Sequence, residues 1–415
     1  MKKYITAVLS LMILYPATGQ QIMKADYDRA VSFLWPNLTN KKVFNLSVQV
    51  NWFADSSGFS YVTHTEKEKV FNKFDLKTMK ASRLFDHERL AKLLTDSLKS
   101  NFNAAELPFN AVIVNKSKIA VNIDGKAYTI DLDSWQLTRR AGEQISRMER
   151  KSPDGKWIAF SKNQNLYIKS ASNGEEKQLS TGGKKNYEYA SYYEWGEIIE
   201  GENGERPPHF SVNWSPDSKW IQTYICDLTK GQKMYLLDWS VDSLYRARLL
   251  SYYRGSPGDT DMVYMIPVIF NVDTGEEIRL DEFRNVNATN FKWAKQPANI
   301  FIENRVRGYQ QTDLYRYDLQ TKKQEKVYTE TSATNIDNFN SLLPDDGGEI
   351  IITSEKDGWK QLYLLRLSDK TLKPITNGSF YVNDILHPGK KHQPVLFTAS
   401  GLDPNRNPYY QHAYK

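Results

Sequence analysis

Cysteine is nearly absent from this chain: Cys226, within "IQTYICDL", is the only one in 415 residues. A single cysteine excludes an intrachain disulfide, a Cys-x-x-Cys redox pair and a cysteine-based zinc site. What remains for Cys226 is the role of a small buried apolar residue in a strand. Histidine is scarce as well, with His64, His87, His209, His387, His392 and His412 the complete set. None forms an H-x-x-x-H or H-E-x-x-H pair, so a zincin-type site has no support. His209 follows "RPP" just before an expected strand and reads as an ordinary edge residue. The nucleophile elbow G-x-S-x-G is missing, and with it the signal for a Ser-His-Asp hydrolase. "RGSPG" at 254–258 has Arg254 where G-x-S-x-G needs its first glycine, and reads as a turn. "DLD" at 131–133 and "GDTD" at 258–261 fall short of a calcium loop. The 55 basic and 49 acidic residues are interspersed without a Lys/Arg-rich block, so nucleic-acid binding has little support.

The one long apolar run lies at the start. Lys2 and Lys3 precede a stretch from Ile5 to Tyr15, and "PATG" then offers Ala17 and Gly19 at signal-peptidase spacing. The pattern predicts a signal peptide over 1–19. The run is shorter than the roughly 20 residues a permanent spanning helix needs, and no cysteine follows for a lipoprotein anchor. The expectation is an exported protein, periplasmic or secreted from a Gram-negative cell, with no membrane attachment after cleavage.

Aromatics, by contrast, are plentiful at 13%, with 25 tyrosines, which points towards sheet. The decisive feature is a repeat. "SPDGKWIAF" at 152–160 returns as "SPDSKWIQT" at 215–223. In the first copy "SPDG" is a turn, because Pro presets φ, Asp accepts nearby amides and Gly permits positive φ. "KWIAFSK", "LYIKSA" and "EKQLS" follow as three strands separated by "NQN" and "SNGE". The same grammar appears at 215–240, 298–329 and 343–376, and more weakly at 51–80 and 108–138. Residues 81–104 carry the one helical pattern, with Leu84, Leu90, Leu93, Leu94 and Leu98 near 3.6-residue spacing. A two-sheet sandwich also has many short strands but no reason to repeat its turns. The expected fold class is therefore all-β: a β-propeller of four-stranded antiparallel blades over 20–415, about seven visible and the last incomplete, with one short helix near 81–100. Asp154 and Asp217 hold turns in this reading, and Trp157 and Trp220 fill the space between blades.

The "SPDGKWIAF" unit resembles the WD40-like (PD40) propeller repeat of exported bacterial proteins, shared by TolB-like binding propellers and the propeller half of S9 serine peptidases. "LYIKSASNGEEKQLSTGG" with "HFSVNWSPDSKWI", then "LLSYYRGSPGDTDMVYMIPVIFNVDTGEE" and "FTASGLDPNRNPYYQHAYK", resemble the N-terminal region of dipeptidyl peptidase IV-like enzymes. That resemblance implies a propeller that caps an α/β-hydrolase domain, filters peptide substrates by size and holds the substrate's amino terminus on an acidic motif. The matching stretch is "EWGEIIE", 194–200: Trp195 and Glu200 fit the motif, Glu194 and Glu197 add carboxylates, and Ile198 and Ile199 stand where the family has glutamates. A converging carboxylate pair binds an ammonium strongly, so the isoleucines put strict dipeptidyl-peptidase specificity in question. The other reading of the stretch is a solvated acidic insertion.

The chain stops at Lys415 after what read as two strands of a new blade. The expectation is a truncated product whose continuation would hold the remaining strands and the hydrolase domain, readable as G-x-S-x-G, Asp and His in the coding sequence downstream. The expected function is thus the substrate-gating, peptide-binding propeller of an exported S9-type serine peptidase. Its partners would be a peptide substrate and the hydrolase domain, with homodimers in the full-length form. No catalytic residue, metal or cofactor is assigned to this chain. A TolB-like propeller binding protein or peptide partners is the alternative, and a propeller glycosidase or lyase would want paired carboxylates in the central funnel.

Overall fold

The computed structural model describes residues 22–415, apart from 47, 54, 56, 111, 141–145, 194–198, 241–244, 287–288, 295–298, 344–347 and 389–393. The signal peptide expected over 1–19 lies outside the described residues. The chain divides into two compact units, Met1–Gln144 and Ile145–Lys415. Its architecture is all-β, with the antiparallel blades of a seven-bladed β-propeller and three short α-helices among the described residues.

The first unit holds two four-stranded blades. One is built from Val50–Trp52, Gly58–His64, Lys69–Asp75 and Lys80–Arg83, the other from Ile113–Asn115, Lys118–Ile123, Lys126–Asp131 and Gln136–Arg139. Between them in sequence runs the expected helix, shorter than its pattern suggested, at His87–Leu98. Asp86 caps it by accepting the amide of Arg89 at 3.1 Å, which satisfies a donor that the first turn leaves open. Leu90 and Leu94, four residues apart, are buried on one face, and Lys99 ends the helix in a left-handed conformation. Residues 81–83 of the helical pattern belong instead to the strand Lys80–Arg83. Two further helices, Lys24–Val31 and Trp35–Leu38, correct the expectation of a single one. At eight and four residues with no buried side chain, they leave no periodic apolar face to read.

The second unit contains five blades. Among the described residues, the third, fifth and sixth have four strands each, the fourth has five, and the seventh has three at Tyr381–His387, Leu396–Ser400 and Gln411–Tyr414. Each apolar core is shared by two successive blades, because alternate side chains of a strand point to opposite faces. In the sixth blade, Ile350 and Ile352 pack with Phe301 and Leu314 of the fifth, while Ile351 packs with Val382 and Phe397 of the seventh. The fourth blade does the same, with Ile221 and Ile225 facing the third and Tyr224 and Cys226 facing the fifth. Central strands buried on both faces read as continuous apolar runs for this reason. Cys226 is fully buried, as its context predicted, and burial pushes its thiol up to about 12.

The two "SPD" turns have the same geometry. Ser152 Oγ donates to Asp154 at 2.7 Å while accepting the amide of Trp157 at 3.0 Å; Ser215 does so with Asp217 and Trp220 at 2.6 and 2.9 Å. The residue needing positive φ is Gly155 in one copy and Ser218 in the other, at 76° and 63°. Trp157 packs against the core between blades three and four, and Trp220 against that between four and five. A second inter-blade device runs along the inner strands. Trp214 Nε1 donates to the Arg150 carbonyl of the preceding blade at 3.2 Å, and Trp293 Nε1 to that of Asn213 at 3.3 Å.

One strand assignment within the repeat is corrected. The sequence pattern makes "KMYLLD" the neighbour of "KWIQTYICD", but Trp220–Asp227 pairs with Tyr264–Asn271 over eight residues. Lys233–Asp238 instead pairs with Arg248–Tyr253 as a separate two-stranded hairpin. Burial explains the choice. Trp220–Asp227 has six consecutive buried residues and so does Tyr264–Asn271, whereas Lys233–Asp238 has none.

Candidate functional site

The fourth blade departs from the repeat in two places. Its inner edge is split, since Tyr187–Tyr189 and Val212–Trp214 both pair with Trp220–Asp227, and the described residues between them lie outside the sheet. The described residues between Asp227 and Tyr264 lie outside it again and carry the hairpin. The two excursions meet at Glu200 and Ser251. The Glu200 amide donates to the Ser251 carbonyl at 2.7 Å, and the Ser251 amide to that of Glu200 at 3.2 Å.

This clasp buries Glu200 to 4% exposure. A carboxylate withdrawn from water must find donors, and Glu200 finds two. Lys233 Nζ lies 2.5 Å from its Oε2 and the Ser251 hydroxyl 3.0 Å from the same oxygen. Lys233 keeps 30% of its side chain exposed and lies over the ring of Tyr253, 4.9 Å from its centre. The Glu200 hydrogen bond and, against it, partial burial set the Lys233 ammonium, with the net effect of raising its pKa. The Tyr193 hydroxyl donates to the Tyr253 carbonyl, and burial pushes that phenol up to about 12. Nearby, Arg206 pairs with Glu188, which also accepts the Ser191 hydroxyl at 3.2 Å. Arg246 pairs with Glu202 at 2.8 Å and ties the excursions together a second time. The arrangement is one that holds a primary ammonium against a buried carboxylate, and the chain's own lysine fills it.

Of the residues expected to bind an amine, Glu200 sits at the centre of this clasp. Glu194, Trp195 and Glu197 lie outside the described residues. Lys233, Ser251 and Tyr253 were missed by sequence reasoning. Their shared signal is position in a polar and aromatic stretch that breaks the blade repeat, which locates the excursion but not the contact. His209 precedes the inner strand as expected, with its ring 4.9 Å from that of Tyr192. The hairpin beyond Lys233 exposes Tyr235, Leu237 and Leu249, and Trp239, between its two strands, is exposed as well.

Blades that share cores pairwise, "SPD" turns at their corners and a doubly interrupted fourth blade define a β-propeller with a built-in side arm. The family model for the dipeptidyl peptidase IV (DPP IV) N-terminal region matches residues 116–415, and the chain belongs to that family. Among solved structures, it is similar to dipeptidyl peptidase 4 of Porphyromonas gingivalis, with a TM-score of 0.55 and 14% identity over 89% of this chain and 51% of that one. It is also similar to a putative dipeptidyl aminopeptidase IV from Bacteroides ovatus, with a TM-score of 0.56 and 17% identity over 86% of this chain and 51% of that one. At these identities the likeness concerns the fold. The chain spans about half the length of each of these structures.

Proposed function

We propose that this chain is the substrate-gating and peptide-binding region of a larger, exported serine peptidase that releases short peptides from amino termini. Membership of the DPP IV N-terminal family supports the class, and the Glu200 clasp carries the reading of the site. A peptide amino terminus is a primary ammonium, as is the Lys233 head group that Glu200 accepts at 2.5 Å. Lys233 is tethered by a long side chain with access to solvent, so an incoming ammonium can exchange with it without leaving the buried carboxylate unpaired. The nucleophile, base and oxyanion hole belong, in this proposal, to a hydrolase domain joined to the propeller.

The test is binding of a short labelled peptide with a free amino terminus, set against its N-acetylated twin, by fluorescence anisotropy on the wild-type chain and Glu200→Gln. The free peptide should bind the wild type more tightly, and the substitution should remove that preference. Equal affinity for the two peptides in the wild type would sink the proposal.

One observation favours a second reading, a non-catalytic propeller that binds a protein partner. The hairpin Lys233–Asp238/Arg248–Tyr253 presents apolar side chains to solvent, and such faces mark protein contacts. Homodimers of the full-length form would use the same surface. Sedimentation of the wild type beside Tyr235→Ser/Leu237→Ser separates the cases, because a change in oligomeric state favours the homodimer.

A further inference from the structure

A cavity of about 140 Å³ opens between the fifth and sixth blades, lined by Asn290, Glu303, Arg305, Thr312, Ile336, Asp337 and Phe339. Its lining includes no residue of the Glu200 clasp, and two of its residues carry a buried polar atom with no hydrogen-bond partner among the described residues: Arg305 Nε and Thr312 Oγ1. Thr312 is 3% exposed. Buried donors without acceptors are rare, because each forfeits its interaction with water. Here two of them belong to residues that line one space.

The charges on the wall say what kind of ligand they suit. Glu303 is saturated: Oε1 accepts Lys292 Nζ at 2.6 Å, the Ser341 amide at 2.6 Å and the Ser341 hydroxyl at 2.5 Å, while Oε2 accepts Asn290 at 2.7 Å. Its charge is answered by Lys292. Arg305 donates Nη2 to the Ile336 carbonyl and stacks over Tyr309, 4.6 Å from the ring centre. It makes no ion pair among the described residues, so the guanidinium contributes an unanswered positive charge to the cavity. Asp337 stands exposed at the rim, with Asn335 donating to it.

We propose that this cavity is a binding site for a small carboxylate, held by Arg305 Nε and the Thr312 hydroxyl. A guanidinium fixed by stacking and a backbone carbonyl is pre-organised for a carboxylate, and the cavity admits a ligand of a few heavy atoms. Asp337 opposes the ligand's charge from the rim and limits the site to monoanions.

Acetate is the probe, titrated into the full chain against chloride at matched ionic strength and followed by the melting temperature and by line broadening of the acetate methyl proton signal. Wild type should melt higher in acetate and broaden the signal. Arg305→Gln and Thr312→Val should each weaken acetate binding about tenfold or more, with circular dichroism reporting an intact fold. Asp337→Asn should tighten it, an effect that a merely structural role for the cavity would not produce. Absence of any acetate effect on the folded wild type overturns the proposal. So does an acetate effect that survives Arg305→Gln.

Discussion

The amide of Asp154 donates to the hydroxyl of Ser218 at 3.0 Å, so the first "SPD" turn is bonded to the second. Ser218 occupies the left-handed position that glycine fills in the first copy. Its side chain supplies an inter-blade acceptor that glycine cannot. The residue accepts backbone strain of about 1 kcal/mol and returns a hydrogen bond of similar size.

That balance predicts opposite outcomes for two small substitutions. Ser218→Ala keeps the strain and loses the bond, and should lower unfolding stability by about 1 kcal/mol. Ser218→Gly loses the bond but relieves the strain, and should be close to neutral. Urea unfolding of the two variants checks the order, and equal losses would refute it.

In the Glu200 clasp, Lys233→Met removes the internal ammonium that competes with a peptide's amino terminus. Free-amine peptides should bind this variant about tenfold more tightly or better, while its unfolding stability falls because the buried carboxylate lacks a counter-charge. Anisotropy titration and denaturant melts measure the two effects on one preparation. A variant that binds more weakly would mean that Lys233 assists the peptide instead of standing in for it.

Lys292 joins the fifth blade to the sixth, bonding Glu303 on its own blade and the Ser341 carbonyl on the next, the latter at 2.5 Å. Lys292→Met should cost roughly 2 kcal/mol or more, since Glu303 is then buried with hydrogen bonds but no counter-charge. Adding Glu303→Gln should recover part of the loss. Chemical denaturation midpoints across the four-member cycle give the coupling directly.

His87 provides the pH prediction. Burial first, and then the Arg83 guanidinium, hold its imidazole below the ordinary 6.5, and neutral Nε2 accepts the Phe71 amide at 3.1 Å. Because the folded pKa is depressed, the unfolded chain binds the proton more readily. The associated stability is present in full above about pH 6.5 and is lost as the pH falls below it. His87→Gln, which retains an acceptor, should flatten that slope. Unfolding of the first unit followed between pH 7.5 and 5 is the measurement.

The sequence by itself determined the blades. Two copies of S-P-D followed by Lys and Trp are a local matter, since the hydroxyl, carboxylate and amides that close each turn lie within five residues of one another. Period-2 side-chain direction then turns runs such as "EIIITS" into strands buried on both faces. The helix at His87–Leu98 was legible for the same reason, through its leucines near 3.6-residue spacing. The two helices before residue 40 were not, because they bury no side chain that would impose a period.

Tertiary structure decided the rest. Local pattern gave "KMYLLD" to the sheet, and only the burial of a strand from Tyr264 onward revealed the better partner for Trp220–Asp227. Glu200 was legible as an acid in a stretch that breaks the repeat, but Lys233 and Ser251, 33 and 51 residues further on, meet it only when the two excursions close. A carboxylate's partners are set by distance in space and by the water it has lost. Neither quantity is written in the spacing of residues along the chain.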